Sequence, residues 1–188
     1  MNAATEIKVW DPLIRVFHWT LAAAFAAAYL TEDGVLNVHI WAGYLVLGLL
    51  VFRGVWGLVG PRYARFADFV HSPREIAAYV KKVLELKAPR YIGHNPAGGA
   101  MTIILLLSLL ITTISGVAVY GADPGAGPLA GWMMGVGEST EHTLEGVHEF
   151  FANFTLVLVA FHVIGVIWES LLHKENLVRS MINGRKRA

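Results

Sequence analysis

Residues 147–172 read VHEFFANFTLVLVAFHVIGVIWESLL, an apolar segment with one histidine, His148, near its start and another, His162, well inside it. The two histidines are 14 positions apart. In an α-helix this is four turns less roughly 40°, so both rings leave the same face, about 21 Å apart along the axis. An ionisable side chain at membrane depth is costly, and it usually marks a functional site with a partner on a neighbouring helix. The segment therefore predicts two sites at different depths, each completed by another helix.

The composition indicates a membrane protein. Of the 188 residues, 55% are hydrophobic and 15% are charged, whereas charged residues make up about a quarter of an ordinary soluble domain. The chain has no cysteine, which excludes disulfides, covalently attached haem, iron–sulfur clusters and thiol nucleophiles. Any metal must therefore be bound by histidine, methionine or oxygen ligands.

Four apolar runs are long enough to cross a bilayer, and they lie at about residues 13–30, 38–59, 97–120 and 147–172. They predict an all-α membrane protein with a single domain, residues 1–188, built as a four-transmembrane-helix bundle. The first run also fits a cleaved signal peptide, because Lys8 and Arg15 precede an alanine-rich core. We expect it to be retained as a membrane span.

The polar loop between the second and third runs contains a further predicted helix. Ser72-Pro73-Arg74-Glu75 combines an N-cap serine, a proline at the first helical position and a glutamate placed for a capping box. Apolar residues follow at helical spacing, and Lys81, Lys82 and Lys87 occupy the other face. This pattern predicts a cytoplasmic amphipathic interfacial helix, lying on the membrane surface.

The charges are divided between the loops, and this division orients the spans. All 15 Lys and Arg residues lie in or beside the N-terminal lead, near the inner end of span two, in the 60–96 loop or in the C-terminal tail. The other two loops carry the acidic residues Glu32, Asp33, Asp123, Glu138, Glu141 and Glu145. By the positive-inside rule both termini are cytoplasmic, as four spans require. We expect a multi-pass protein of the bacterial inner membrane that contacts membrane lipid and no nucleic acid.

Counting residues from the outer ends of the spans pairs the histidines by depth. His18 lies about 13 residues from the outer end of span one, roughly 20 Å down, and His162 lies at a similar depth in span four. His39 and His148 both lie near the outer ends of their spans. We therefore predict an inner site, His18 with His162, and an outer site, His39 with His148.

Two histidines per site restrict the chemistry. Structural zinc normally takes four protein ligands and catalytic zinc three, whereas haem supplies four equatorial nitrogens itself and needs only axial ligands. A helical bundle is a usual place for such a cofactor, and the absence of cysteine fits a non-covalent b-type haem. Two axial imidazoles leave the iron no open position, so we expect outer-sphere electron transfer rather than oxygen activation.

The remaining histidines lie in loops or in the tail, and we predict that they are solvated. They are His71, His94, His142 and His173. A lone histidine at a membrane interface is more often an anchoring or hydrogen-bonding residue than a ligand. These four are nevertheless the natural substitutes if one of the ligand assignments fails.

Several short motifs recur in one order along the chain: Trp10-Asp11-Pro12 followed by Arg15 and His18-Trp19, His39 at the start of span two, Gly93-His94-Asn95-Pro96 before span three, and the two histidines of span four. In these motifs the chain resembles the prokaryotic cytochrome b-561 family, which includes the cytochrome b subunits of membrane-bound nickel–iron hydrogenases. The resemblance implies a four-helix protein with two b-type haems, one held by His18 and His162 and one by His39 and His148. It also implies electron exchange with the quinone pool, and some members take electrons from a periplasmic redox partner or from superoxide.

Haem propionates need neutralisation or hydration, and two arginines are candidates at the inner site. Arg15 lies one turn before His18, and Arg53 lies in the inner part of span two. Alternatively, both side chains reach cytoplasmic headgroups. Gly43, one turn from His39, could let the outer macrocycle lie against the backbone, although a helix-packing glycine is equally consistent with the sequence.

Three functions are open at this stage. The first is transmembrane electron transfer through two b-type haems, between a periplasmic redox protein such as a c-type cytochrome or a hydrogenase and the quinone pool of a respiratory chain. The second is a self-contained superoxide:quinone oxidoreductase, which the acidic outer loops disfavour because they repel an anion. The third is a histidine-lined ion or metal transporter. The sequence leaves open whether the chain is an enzyme and whether it forms a homodimer.

Overall fold

The structure, a computed structural model, describes residues 6–32 and 34–188. Its elements follow in the order β1 (Glu6–Lys8), α1 (Pro12–Leu30), α2 (Leu36–Val59), a 3-10 turn (Arg62–Ala64), α3 (Phe66–Phe69), α4 (Pro73–Leu84), α5 (Pro96–Ala122), α6 (Ala130–Met133), α7 (Glu138–Leu172), α8 (Leu177–Asn183) and β2 (Arg185–Arg187). Helices therefore account for most of the described chain.

Four helices of the described residues are long and apolar enough to cross a membrane, namely α1, α2, α5 and α7, with 19, 24, 27 and 35 residues. About 20 helical residues span the hydrocarbon core of a bilayer. Many of their large apolar side chains are exposed, including Val16, Trp41, Leu107 and Phe161. Such exposure fits contact with lipid chains rather than with water. The protein is an all-α membrane protein with four membrane-spanning helices, as predicted.

The fourth long helix begins earlier than predicted. Hydropathy placed its start at residue 147 and assigned residues 121–146 to a loop, but α7 begins at Glu138. Its first turn carries Glu138 and Glu141, whose negative charges stabilise the exposed N–H groups of a helix N-terminus. Hydropathy detects where the apolar part of a helix begins, and it therefore missed this polar extension.

The amphipathic helix predicted in the polar loop is α4. Ser72 Oγ accepts a hydrogen bond from the Glu75 N–H at 3.4 Å, and Glu75 Oε2 accepts one from the Ser72 N–H at 2.8 Å. The predicted capping box is therefore present, and hydrogen bonds from Ser72, led by that of its side chain, lower the pKa of the Glu75 carboxyl. Tyr79 is buried whereas Lys81 and Lys82 are exposed, which is the pattern of a helix lying on a surface.

The chain divides into two compact units. Of the described residues, the first unit contains 6–20, 52–104 and 159–188, and the second contains 21–51 and 105–158. Each membrane-spanning helix contributes one part to each unit. The assignment of all 188 residues to a single domain stays a prediction.

In the first unit, the two ends of the described chain are joined. β1 and β2 pair antiparallel, with Glu6 opposite Arg187, and the Gly184 carbonyl accepts hydrogen bonds from the Val9 and Trp10 N–H groups at 2.9 and 3.1 Å. A Cβ at Gly184 would lie 2.6 Å from the Trp10 carbonyl oxygen, and its φ of +80° favours glycine. The sequence predicted only a polar tail here, because strands of three residues are too short to show a hydrophobic period.

In the second unit, apolar and polar contacts both join the helices. The buried apolar core consists of Ala24, Val46, Leu50 and Leu109. The hydroxyls of Ser108 on α5 and Thr155 on α7 lie 2.7 Å apart, and both side chains are buried. A hydrogen bond of this kind between membrane helices contributes about 0.6–2 kcal/mol, so it ties α5 to α7.

Candidate functional sites

The second unit brings His39 of α2 next to His148 of α7. Their ring centroids are 5.9 Å apart. His39 Nδ1 lies 2.9 Å from the Ala28 carbonyl oxygen, and His148 Nδ1 lies 2.8 Å from the Thr112 carbonyl oxygen. Because a carbonyl oxygen only accepts hydrogen bonds, both Nδ1 atoms carry the proton. The Nε2 lone pair of each ring is therefore free to bind a metal, which is the usual arrangement of a ligating histidine.

The first unit brings His18 of α1 next to His162 of α7. Their ring centroids are 6.4 Å apart. The Trp19 ring meets the His18 ring edge-on, with a centroid distance of 5.0 Å. His18 Nδ1 is buried and has no hydrogen-bond partner among the described residues. An unpaired buried polar atom is costly, so this ring suits a site that is completed by a ligand.

The ring separations fit one metal ion between the members of each pair. Imidazole nitrogen binds a first-row metal at about 2.0–2.1 Å and the ring centre lies roughly 1.1 Å behind it, so two rings on opposite sides of one ion have centres about 6.3 Å apart. The observed 5.9 and 6.4 Å lie on either side of this value. No group of three or more His, Asp or Glu side chains within residues 6–32 and 34–188 is placed to hold a metal ion. The bound group must therefore bring its own additional ligands, as haem does.

A cavity of about 210 Å³ lies beside the outer histidine pair. Gly43 forms part of its wall, and a Cβ at Gly43 would meet no atom within 4 Å. A side chain at this position would therefore enter the open space of the cavity.

A second glycine, Gly116 on α5, leaves room for the His148 ring. A Cβ at Gly116 would lie 2.7 Å from His148 Cε1 and 2.9 Å from Nδ1, which is closer than non-bonded atoms approach. Gly116 was not predicted from the sequence to be a site residue. Its only indication there is that it is a small residue in the one span without a histidine.

Besides His39, His148 and two threonines, the polar part of the outer cavity wall contains phenols and carboxylates. Its residues include Tyr29, Glu32, Tyr44, Tyr120 and Asp123. Among the described residues that line the cavity there is no lysine or arginine. The outer cavity therefore has acidic surroundings, in agreement with the loop charges read from the sequence.

Arg53 is buried in the first unit, with only 4% of its surface exposed. Its guanidinium carbon lies 4.5 Å from the centre of the Phe66 ring. Its Nη1 is buried without a hydrogen-bond partner among the described residues. A buried guanidinium is stable only when it is paired, so this position suits an anionic ligand such as a haem propionate better than it suits contact with lipid headgroups.

Arg15 has a different environment. Its Nη1 donates a hydrogen bond to the Ile182 carbonyl oxygen near the end of α8. Its Nε is buried and unpartnered among the described residues. The guanidinium therefore helps to fasten the C-terminal tail, and only part of it remains available for a carboxylate.

The prediction that His94 is solvated is wrong. Its ring lies 4.9 Å from the Trp10 ring and 4.6 Å from the Phe69 ring, measured between centroids, and its Nδ1 is buried without a described partner. Burial, followed by the positive charges of Arg53 and Lys186, lowers the pKa of His94 to about 3. The ring is therefore neutral at physiological pH. The sequence placed His94 in a loop and could not reveal the aromatic side chains that enclose it.

The other three predicted solvated histidines divide by environment. The His142 side chain is 79% exposed, as predicted. His71 is partly buried, with its Nδ1 4.0 Å from a Glu75 carboxylate oxygen. The His173 side chain is only 15% exposed, and its Nε2 lies 3.2 Å from Glu169 Oε2. The prediction is therefore wrong for His173, because a carboxylate one turn earlier on α7 turns the ring inward.

Paired imidazoles on membrane-spanning helices define the class of membrane cytochromes b. The family model of prokaryotic cytochrome b561 matches residues 9–184, and the chain therefore belongs to that family, as its motifs predicted. The family consists of helical membrane proteins that bind b-type haem and transfer electrons across the membrane. This chain is accordingly a multi-pass membrane cytochrome of the b type.

Curated relatives resemble the chain over nearly its whole length. Three of them are described as probable Ni/Fe-hydrogenase B-type cytochrome subunits. The one from Rhodobacter capsulatus is 26% identical, with 97% of this chain and 82% of the relative covered. Those from Rhizobium leguminosarum bv. viciae and Azotobacter vinelandii are 24% and 26% identical, covering 96% of this chain and 89% and 88% of the relatives. The comparison with solved structures found no significant match.

Proposed function

We propose that this protein transfers electrons through two b-type haems between a periplasmic redox protein and the membrane quinone pool. In this proposal His18 and His162 are the axial ligands at the inner site, and His39 and His148 are those at the outer site. The observation that carries it is that two histidine pairs lie at metal-ligand separations, 6.4 and 5.9 Å between ring centres. When bound, each b-type haem supplies an iron that gains and loses one electron.

The residues around the ligands favour electron transfer over other haem chemistry. If both histidines of each pair held the haem iron, no position on the iron would be left for oxygen. At the outer site, the Ala28 and Thr112 carbonyls hold the His39 and His148 rings with Nε2 turned away from the backbone. Fixed rings move little when the charge of the site changes, and a site that moves little transfers electrons readily.

The decisive experiment is a pyridine-haemochrome assay on protein purified with haem available, together with reduced-minus-oxidised spectra. We expect two haems per chain and a b-type α-band. One haem per chain would refute the proposal of two sites. Absence of the α-band would remove the electron-transfer proposal and favour the third function, a histidine-lined transporter.

The proposed electron donor or acceptor on the outer side is a periplasmic redox protein, either a hydrogenase or a c-type cytochrome. The relatives are described as hydrogenase cytochrome subunits, which supports the hydrogenase. The acidic extension of α7, with Glu138, Glu141 and Glu145, attracts a basic protein surface and repels superoxide. The superoxide:quinone oxidoreductase is therefore the weaker alternative, and a homodimer stays a prediction.

If the partner docks by charge, we expect electron-transfer rates to fall roughly tenfold or more from about 10 mM to 1 M ionic strength, because the Debye length shrinks from about 30 to 3 Å. Stopped-flow kinetics with a basic c-type cytochrome would measure this. Replacing Glu138, Glu141 and Glu145 by glutamine should flatten the salt dependence. Replacing the exposed Glu85, which directly follows α4, by glutamine should leave it unchanged. Rates that do not vary with salt in the native protein would contradict docking by charge.

We propose that Arg53 binds a propionate of the inner haem and that Arg15 contributes through its remaining N–H groups. A hydrogen bond to a charged group contributes about 1.5–3 kcal/mol, so Arg53→Gln should weaken inner-haem binding by about 10- to 100-fold. Haem retention during dialysis against a haem-binding protein measures this loss. Arg65→Gln removes an exposed arginine from the same loop region and should have no effect. Full retention in the Arg53 variant would refute its role.

The distribution of charge supports an orientation for the protein. We propose that it lies in the bacterial inner membrane with both termini in the cytoplasm. The basic residues of α4 and of the C-terminal tail then face anionic lipid headgroups on the cytoplasmic side. Accessibility of a tag at either terminus in sealed membrane vesicles tests the orientation.

A further inference from the structure

Three titratable side chains of the first unit lie close together in a cluster that the proposed electron transfer does not use. Tyr79 Oη on α4 donates to Glu169 of α7, at 3.1 Å from Oε1 and 3.3 Å from Oε2. His173 Nε2 lies 3.2 Å from Glu169 Oε2. Tyr79 is 3% exposed, and the Glu169 and His173 side chains are each 15% exposed. A buried carboxylate is therefore held between a phenol and an imidazole.

The cluster continues the helix face that carries the inner ligand. Glu169 is 7 positions and His173 is 11 positions after His162. At 100° per residue both lie within about 20° of the His162 direction, and Glu169 lies roughly 10 Å further along the axis. Charges at this separation in a poorly solvated region interact appreciably.

Other charged and titratable groups face the cluster from neighbouring elements. The Tyr91 ring meets the Tyr79 ring edge-on at 5.6 Å. The buried Lys186 of β2 donates to the Tyr91 and Ile92 carbonyls at 3.2 and 3.0 Å, and Arg187 donates to the His173 carbonyl. Glu175 pairs with Arg90 at 2.9 Å. Lys186 and Glu175 are thus engaged with other partners, whereas Glu169 and His173 share one position that can take up a proton.

The chemistry of the three groups allows one proton to be exchanged. Burial, followed by the charge of Glu169, raises the pKa of Tyr79 above its usual range, so the phenol remains a donor. With an ionised Glu169 and a neutral His173 the cluster carries one negative charge. One added proton, on either Glu169 or His173, neutralises it without breaking the contact between them.

We propose that Tyr79, Glu169 and His173 form a proton-binding site whose occupancy is linked to the oxidation state of the inner haem. This inference rests on the proposed function, because it requires a redox centre between His18 and His162. One electron gained at the inner site makes that site one unit more negative, and one proton taken from the cytoplasmic water by the cluster restores the balance. Since linkage is reciprocal, a bound proton also favours the reduced state.

The test is a potentiometric titration of purified holoprotein over about pH 5.5 to 9, following the α-band of the inner haem. In the native protein the midpoint potential should fall as pH rises, at most by the limit for one proton per electron, about 59 mV for each tenfold change in proton concentration. In Glu169→Gln this dependence should weaken strongly, because the amide keeps the size and the acceptor oxygen but cannot bind the proton, which leaves only His173 to do so. In Tyr79→Phe the dependence should persist, because Glu169 and His173 both remain.

Glu85→Gln changes an exposed carboxylate directly after α4; it is the matched control and should reproduce the native titration. If Glu169→Gln fails to assemble, His173→Gln takes its place as the test. We expect its midpoint potential to vary less with pH than that of the native protein. Two results would overturn the inference in a protein that still binds two haems and reduces quinone. One is a native midpoint potential that does not vary with pH, and the other is an unchanged pH dependence in Glu169→Gln. Absence of haem would instead overturn the proposed function.

Discussion

His162→Ala protein is expected to purify with one haem per chain in place of two, and the loss should be confined to the inner site. His18 and His162 are the only two histidines whose rings face each other there, at 6.4 Å between centres, within the part of the chain that the structure describes. In the proposed site the haem iron would then keep a single protein ligand, and the inner haem would be held too weakly to stay bound. The outer pair, with its two carbonyl hydrogen bonds, is untouched.

His148→Ala should give the opposite result, with the outer haem lost and the inner haem retained. The two haems are distinguished by their midpoint potentials in a redox titration and counted by the pyridine-haemochrome assay. His142→Ala removes an exposed histidine from the same helix and should leave two haems. Loss of the same haem in both ligand variants would show that the pairing is wrong.

Gly116→Val is expected to weaken binding of the proposed outer haem by about 5- to 150-fold. Even the first added carbon would lie 2.7 Å from His148 Cε1. The ring cannot withdraw without breaking the hydrogen bond from its Nδ1 to the Thr112 carbonyl, which is 2.8 Å long. Overpacking of this kind costs about 1–3 kcal/mol, and each 1.4 kcal/mol is a factor of ten in affinity.

Spectral titration of the outer haem, with the inner haem as an internal reference, measures the effect of Gly116→Val. Gly48→Val is the matched control, because Gly48 is an exposed glycine of α2 and a Cβ there would meet no atom within 4 Å. Gly48→Val should keep both haems. A fully occupied outer site in Gly116→Val would mean that the position of the His148 ring is not needed for haem binding.

The membrane-spanning helices could be predicted closely because length and hydropathy are properties of each segment alone. The predicted starts and ends of α1, α2 and α5 lie within two residues of those in the structure. The meeting of His18 with His162 and of His39 with His148 follows from depth, because residues at one level of a bilayer can face each other. Charge alone predicts that the acidic loops and the basic residues lie on opposite sides of the membrane.

Contacts between segments distant in sequence could not be predicted in this way. The enclosure of His94 by Trp10 and Phe69 and the closeness of Gly116 to His148 leave no periodic pattern. The polar start of α7 at Glu138 was missed because it lies outside the apolar run. A sequence pattern indicates whether a segment prefers water or lipid. The contacts of His94 and Gly116 depend instead on which segments lie next to each other in the folded chain.

The sequence by itself therefore determined that this chain crosses a membrane four times and carries histidines at two depths, because both properties follow from one-dimensional spacing and polarity. Only the tertiary structure decided which donors are left unpaired inside the protein, such as Arg53 Nη1, and which carboxylate lies between a phenol and an imidazole. Hydrogen bonds act over about 3 Å, and a distance of that size between remote residues exists only after the chain has folded.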